Sequence, residues 1–130
     1  MYSSELKYTK SHEWIRVNGK KAKLGITAFA IESLTDLTFL QFNVDEGEKI
    51  NQGHAVGDVE SVKTTSQIFT PVSGTVVAVH KDLPDMLEDL MKDPYETGWM
   101  VEIEMSDPSQ ANSLMDAKKY EEHVASESHH

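Results

Sequence analysis

The sequence predicts a mostly β domain of the α+β class with two or three peripheral helices. Three observations carry this. Asn18-Gly19 separates two β-rich runs, the strongest short-range signal for a hairpin. A second pair of runs, Val56 to Val62 and Ile68-Phe69, flanks a short polar segment centred on Lys63. Stretches with helical spacing lie outside these pairs, and no strand–helix alternation supports a parallel sheet. At 130 residues the chain suffices for one domain with one modest core. Residues 1–125 are assigned to that domain and 126–130 to a tail.

The elements follow in order. Leu6 to Thr9 is a short extended entry. Trp14 to Val17 and Lys21 to Ile26 form the first hairpin, with Asn18-Gly19 supplying the positive φ angles of a two-residue turn. Trp14 belongs to the core, and its indole N–H needs a partner. Thr27 caps a short helix, Ala28 to Ser33. Leu37 to Phe42 is a strand, and Asp45 to Glu48 and Asn51 to Gly53 are turns. In the second hairpin Lys63 sits near the tip, where a long amine side chain reaches water. Pro71 cannot donate to a ladder, so it marks an edge or the start of the next strand. Gly74 suits a turn or bulge, and Thr75 to Val79 is a buried strand.

From Lys81 to Lys92, Leu83, Met86, Leu87, Leu90 and Met91 recur at spacings of three and four and make one apolar helix face. Asp93-Pro94 ends it. Met100 to Glu104 alternates, as a half-exposed strand does. Asp107-Pro108-Ser109-Gln110 combines a cap, a proline at the first helical position and Gln110 three residues after the cap, so a helix starts there and runs to about Val124. Ser126 to His130 is expected to fray, with His129-His130 as an added tail.

Charge and composition remove several functions. The net charge is −10, from 12 basic and 22 acidic side chains, and such a surface repels nucleic acid and anionic membranes. No apolar run approaches a membrane span. Met1 to Glu5 has no cationic region followed by an apolar one, so a cytoplasmic location is expected. There is no cysteine, which excludes disulfides and thiol chemistry by the polypeptide itself. No nucleophile elbow, phosphate loop or clustered metal-ligand spacing occurs, and no metal site or catalytic residue is expected.

Lys63 therefore stands alone as the reactive position. It is the only Lys or Arg between Lys49 and Lys81. Glu60-Ser61-Val62-Lys63-Thr64, followed by Pro71-Val72-Ser73-Gly74, resembles a lipoyl-attachment hairpin. Val62 and Thr64 stand where a biotin carrier has methionines, which favours lipoate. Further matches at Tyr8, Ser11-His12-Glu13-Trp14, Gly25-Ile26-Thr27, Asp93-Pro94-Tyr95 and Gly98-Trp99 extend the resemblance from about Leu6 to Tyr120. In these words the chain resembles the glycine cleavage H-protein and H-like lipoate-binding family.

That resemblance implies a barrel-sandwich hybrid of β-strands with helical additions. It implies lipoate on Lys63, with Glu60, Ser61, Val62 and Thr64 as the surrounding recognition residues. It places Ser11, Glu13, Gln67 and Thr70 at a surface cleft for the loaded arm; by themselves these four read as ordinary polar surface residues. The implied role is a monomeric, non-catalytic carrier that shuttles an aminomethyl intermediate. Its implied partners are glycine decarboxylase, aminomethyltransferase and dihydrolipoamide dehydrogenase, with a lipoate ligase or lipoyl transferase to load it.

The chain departs from the family pattern at Gln67, where an aspartate is frequent, and at Thr35, where glycine is usual. Phe42-Asn43 replaces Leu-Pro, and Leu87 and Met91 replace a proline and an asparagine. A neutral amide at Gln67 lacks the Coulomb attraction a carboxylate would offer a cationic cargo. This motivates two alternatives: a carrier of sulfur to a heterodisulfide-reductase-like complex, or a relay of lipoate to other proteins. A different class is an unmodified interaction domain that uses its acidic face.

Overall fold

The computed structural model describes residues 2–127. Nine strands form two antiparallel sheets within these residues. The strands are β1 (Lys7–Tyr8), β2 (Glu13–Asn18), β3 (Lys21–Ile26), β4 (Leu37–Phe42), β5 (Lys49–Ile50), β6 (Ala55–Ser61), β7 (Thr65–Phe69), β8 (Gly74–Val79) and β9 (Val101–Met105). The larger sheet runs β1-β2-β3-β9-β8-β5, and the smaller β4-β6-β7. Their inner faces share one core: Ile15, Leu24, Val76 and Ile103 from the first sheet meet Leu40, Val59 and Ile68 from the second. The mostly β architecture with peripheral helices is thus present.

The first hairpin pairs Asn18 with Lys21, so its loop is Gly19-Lys20. Only Gly19 has positive φ, at 65°, the pattern of a type II′ turn. Asn18 is the last ladder residue rather than a central turn residue. Trp14 is buried and its indole donates to Pro94 O at 3.0 Å. Gly74 is not a turn or bulge residue. It lies inside the larger sheet between Ile50 and Met105, where a Cβ would stand 2.1 Å from Glu104 O. Glycine is required there by close approach of backbone.

Two of the three predicted helices are each divided in two. Helix α1 (Ala28–Leu34) is capped as expected, the Thr27 hydroxyl accepting from Ala30 N. The stretch 81–92 divides into a 3-10 turn, Leu83–Asp85, and helix α2 (Leu87–Lys92). Pro84 has no N–H and fits only a first turn, so the chain restarts after it. The single helix expected from Asp107 to Val124 is also two: α3 (Ser109–Asn112) and α4 (Ala117–Glu127). Between them Met115 exchanges both backbone hydrogen bonds with Tyr8, 2.9 and 3.0 Å, so its peptide groups are taken by strand pairing. Asp116 then opens α4 by accepting from Lys119 N.

Helix α4 includes Ser126 and Glu127, and the rest of the expected tail lies outside the described residues. An aromatic layer docks it on β1. Tyr8 and Tyr120 are buried and stack with ring centroids 4.6 Å apart.

Candidate functional site

Strands β6 and β7 are paired from Glu60–Thr65 to Ala55–Phe69, which leaves Ser61-Val62-Lys63-Thr64 as the loop. The Ser61 side chain builds this turn. Its hydroxyl accepts from Lys63 N and Thr64 N, at 3.3 and 3.2 Å, while Ser61 N donates to Thr64 O at 2.8 Å. A serine hydroxyl bonding its own backbone two and three residues on is a common device for closing a turn. From outside, Val62 N donates to Asp36 O at 3.1 Å, so the loop after α1 braces the tip.

That brace carries strain. Thr35 has φ 65° and ψ −133°, a conformation suited to glycine. The sequence departure at Thr35 therefore falls on a position where the backbone favours the residue it replaces.

The tip exposes Lys63 and, beside it, Val62, whose side chain is 68% accessible. Among the described residues the Lys63 amine has no hydrogen-bond or ion-pair partner. Glu60 and Thr64 are also exposed. The five residues Glu60 to Thr64 thus come together as one projecting surface.

Of the four residues assigned to a cleft, Ser11 and Glu13 meet the far end of β7 at Phe69, beside Thr70 and roughly 20 Å of extended chain from Lys63, whereas Gln67 lies mid-strand. They are not equivalent. Ser11 and Gln67 are exposed, but Glu13 and Thr70 are 2% and 1% accessible, so these two are not surface residues. The Glu13 carboxylate accepts from Thr9 Oγ1 and Ser11 Oγ, both at 2.6 Å, through Oε1. Its Oε2 accepts from Phe69 N at 3.2 Å. β7 is an edge strand, so Glu13 satisfies a backbone donor on that edge and ties β2 to β7 across the two sheets. Charge-assisted bonds of this kind are the stronger ones. Thr70 Oγ1 donates to Val72 O at 2.7 Å and accepts from Val72 N, which turns the chain toward β8. Gln67 projects from the edge, opposite Asp58 in the ladder.

Reading the sequence missed Thr9, the third group on the Glu13 carboxylate. Its spacing of four from Glu13 was the one available signal. The arrangement offers an exposed amine on a rigid mount, with a polar strand edge leading to a carboxylate held by three donors. No helix among the described residues is long and apolar enough to cross a membrane.

Residues 6–127 match the family model described as Glycine cleavage H-protein. The chain is 45% identical over 122 residues to the glycine cleavage system H protein of Staphylococcus saprophyticus, covering 93% of this chain and 95% of that protein. The same identity and coverage hold for the glycine cleavage system H protein of Staphylococcus haemolyticus. The crystal structure of a glycine cleavage system H protein from Mycobacterium marinum superposes with a TM-score of 0.85 at 32% identity, covering 95% of this chain and 99% of the other.

Proposed function

The chain belongs to the glycine cleavage H-protein family, and from that premise we propose that it is a lipoyl carrier of the glycine cleavage system, with Lys63 as its attachment residue. The observation that carries this is the exposed Lys63 amine, without a partner among the described residues, on a turn closed by Ser61 and braced by Asp36. Lipoate in amide linkage there supplies a disulfide ring that opens to a dithiol and ferries a group between enzymes. The residues present fit it, because the amine is accessible and its acylation breaks no hydrogen bond or ion pair among the described residues.

The chain's own residues do the positioning. Ser61 fixes the direction in which Lys63 leaves the turn. Val62 presents an apolar contact beside the amine, and Glu60 and Thr64 complete the surface that a lipoate ligase or lipoyl transferase would read. Glu13 holds the end of β7 in place from beneath, and the exposed Ser11 and Gln67 supply the polar surface offered to the arm. The cargo we assign is an aminomethyl group, passed among glycine decarboxylase, aminomethyltransferase and dihydrolipoamide dehydrogenase. Tethering raises the local concentration of that cargo at each docked enzyme. The polypeptide needs no catalytic residue for this, and we place it in the cytoplasm as a monomer.

Reconstitution of the lipoylated protein with those three enzymes tests the reading. Glycine-dependent CO2 release that requires this protein is the expected outcome. A fully lipoylated protein that never supports release overturns the assignment, and sulfur loading of its reduced arm would move it to the sulfur-carrying class.

A further inference from the structure

A second cluster lies away from the hairpin, where the turn before β2 meets helix α4. His12, His123 and Glu127 place one ligand atom each within 4.8 Å of one another. His12 Nε2 stands 2.6 Å from Glu127 Oε2, and His123 Nε2 stands 3.4 Å from Glu127 Oε1. All three side chains are partly buried, at 14%, 23% and 37% accessibility for His12, His123 and Glu127. We infer that these three side chains form a binding site for a divalent transition ion of the Zn(II) class, stapling helix α4 to the Thr9–His12 turn.

The donor set is the chemical argument. Two imidazole nitrogens and one carboxylate oxygen are ligands that zinc accepts, with bonds of about 2.0–2.2 Å. Tetrahedral placement at such distances puts ligand atoms roughly 3.3 Å apart, a value between the 2.6 and 3.4 Å separations of the two imidazoles from the two Glu127 oxygens. His123 and Glu127 are one helical turn apart on α4, so they face the same way. His12 is set against them by a backbone with φ 73°, and its ring packs 4.7 Å from Phe29. A solvent molecule would take the fourth position on the open side.

The surrounding bonds suit a metal-bound imidazole. His12 Nδ1 lies 2.8 Å from the Tyr120 hydroxyl, which lies 2.6 Å from Thr27 Oγ1. A ligating histidine commonly donates from its second nitrogen. Here the His12 proton would move to Nδ1 and be donated to Tyr120 O, with the phenol donating onward to Thr27. His123 Nε2, now 3.1 Å from Lys10 O, would carry its proton on Nδ1 and leave that exposed carbonyl to water. The chain's charge of −10 favours cations at its surface.

Zn(II) and Co(II) titrations of the full chain test this, with a chromophoric chelator as competitor and thermal unfolding as a second readout. We expect one ion per chain and a raised Tm on loading. His123→Ala and Glu127→Gln change partly exposed positions on α4. Each should keep the fold by circular dichroism and weaken binding about 10-fold or more. A His129→Ala/His130→Ala variant removes two other imidazoles and should bind as the unaltered chain does. Absence of saturable one-to-one binding overturns the site, as does binding untouched by His123→Ala. Binding lost in the His129→Ala/His130→Ala variant also overturns it.

Discussion

The molecule carries a lysine at the tip of each of two hairpins, and only Lys63 lies in a lipoyl-type sequence. Lys20 follows Gly19 in the loop joining β2 and β3, and Lys63 lies in the loop joining β6 and β7. Both are exposed. The Lys20 turn is two residues long, shaped by the left-handed Gly19, and its carbonyl is tied to Met105 N at 2.7 Å. The Lys63 turn is four residues long, closed by a serine hydroxyl, supported by a neighbouring loop and flanked by a bare valine. Exposure is common to both, so recognition must rest on the shape and chemistry around the amine.

Exchange of the amines breaks this comparison most sharply. Lys63→Arg should abolish lipoylation completely in cells competent for it, whereas Lys20→Arg should leave the lipoyl mass increment in place. Intact mass with peptide mapping reads both. The next contrast is between glycines. Gly74→Ala forces a Cβ onto Glu104 O and should cost on the order of 3 kcal/mol in urea unfolding. Gly19→Ala meets no atom within 4 Å and should cost only about 1 kcal/mol, from its positive φ.

Alkaline pH attacks the scaffold and spares the tip. Burial raises the pKa of Tyr8 and Tyr95 above the usual 10. Their folded forms hold protons more tightly than the unfolded chain does, so the stability they contribute is complete below pH 10. It is lost as pH rises past that value toward their folded-state pKa values. Thermal melts at stepped pH should show Tm falling above about pH 10.

Ser61→Ala removes the acceptor shared by two turn amides and should cost about 1 kcal/mol, with a slower lipoylation rate as the more telling readout. The smallest change is a gain. Thr35→Gly relieves the positive φ, worth about 1–3 kcal/mol, against about 0.5–1 kcal/mol of glycine entropy. A net stabilisation near 1 kcal/mol should appear as a shifted urea midpoint.

What the residues disclose in advance is what they determine locally. The two hairpins, the Thr27 cap and the Trp14 hydrogen-bond requirement follow from neighbours in the chain. Positions governed by distant partners do not. The break after Asn112 arises because Tyr8 claims the backbone of Met115. Glu13 and Thr70 look like surface residues until two sheets close over them. The approach of His12 to His123 joins positions separated by most of the chain, and no spacing announces it. Gly74 reads as a turn because glycine's commoner use is conformational, while here it serves close packing between strands.

The solitude of the Lys63 ammonium has an electrophoretic consequence. Converting it to an amide deletes one cation from a chain of formal charge −10 and severs no hydrogen bond or ion pair among the described residues. Loaded and unloaded molecules should therefore melt together yet migrate apart in an electric field. A calorimeter would count them as one species where an isoelectric gel would resolve two.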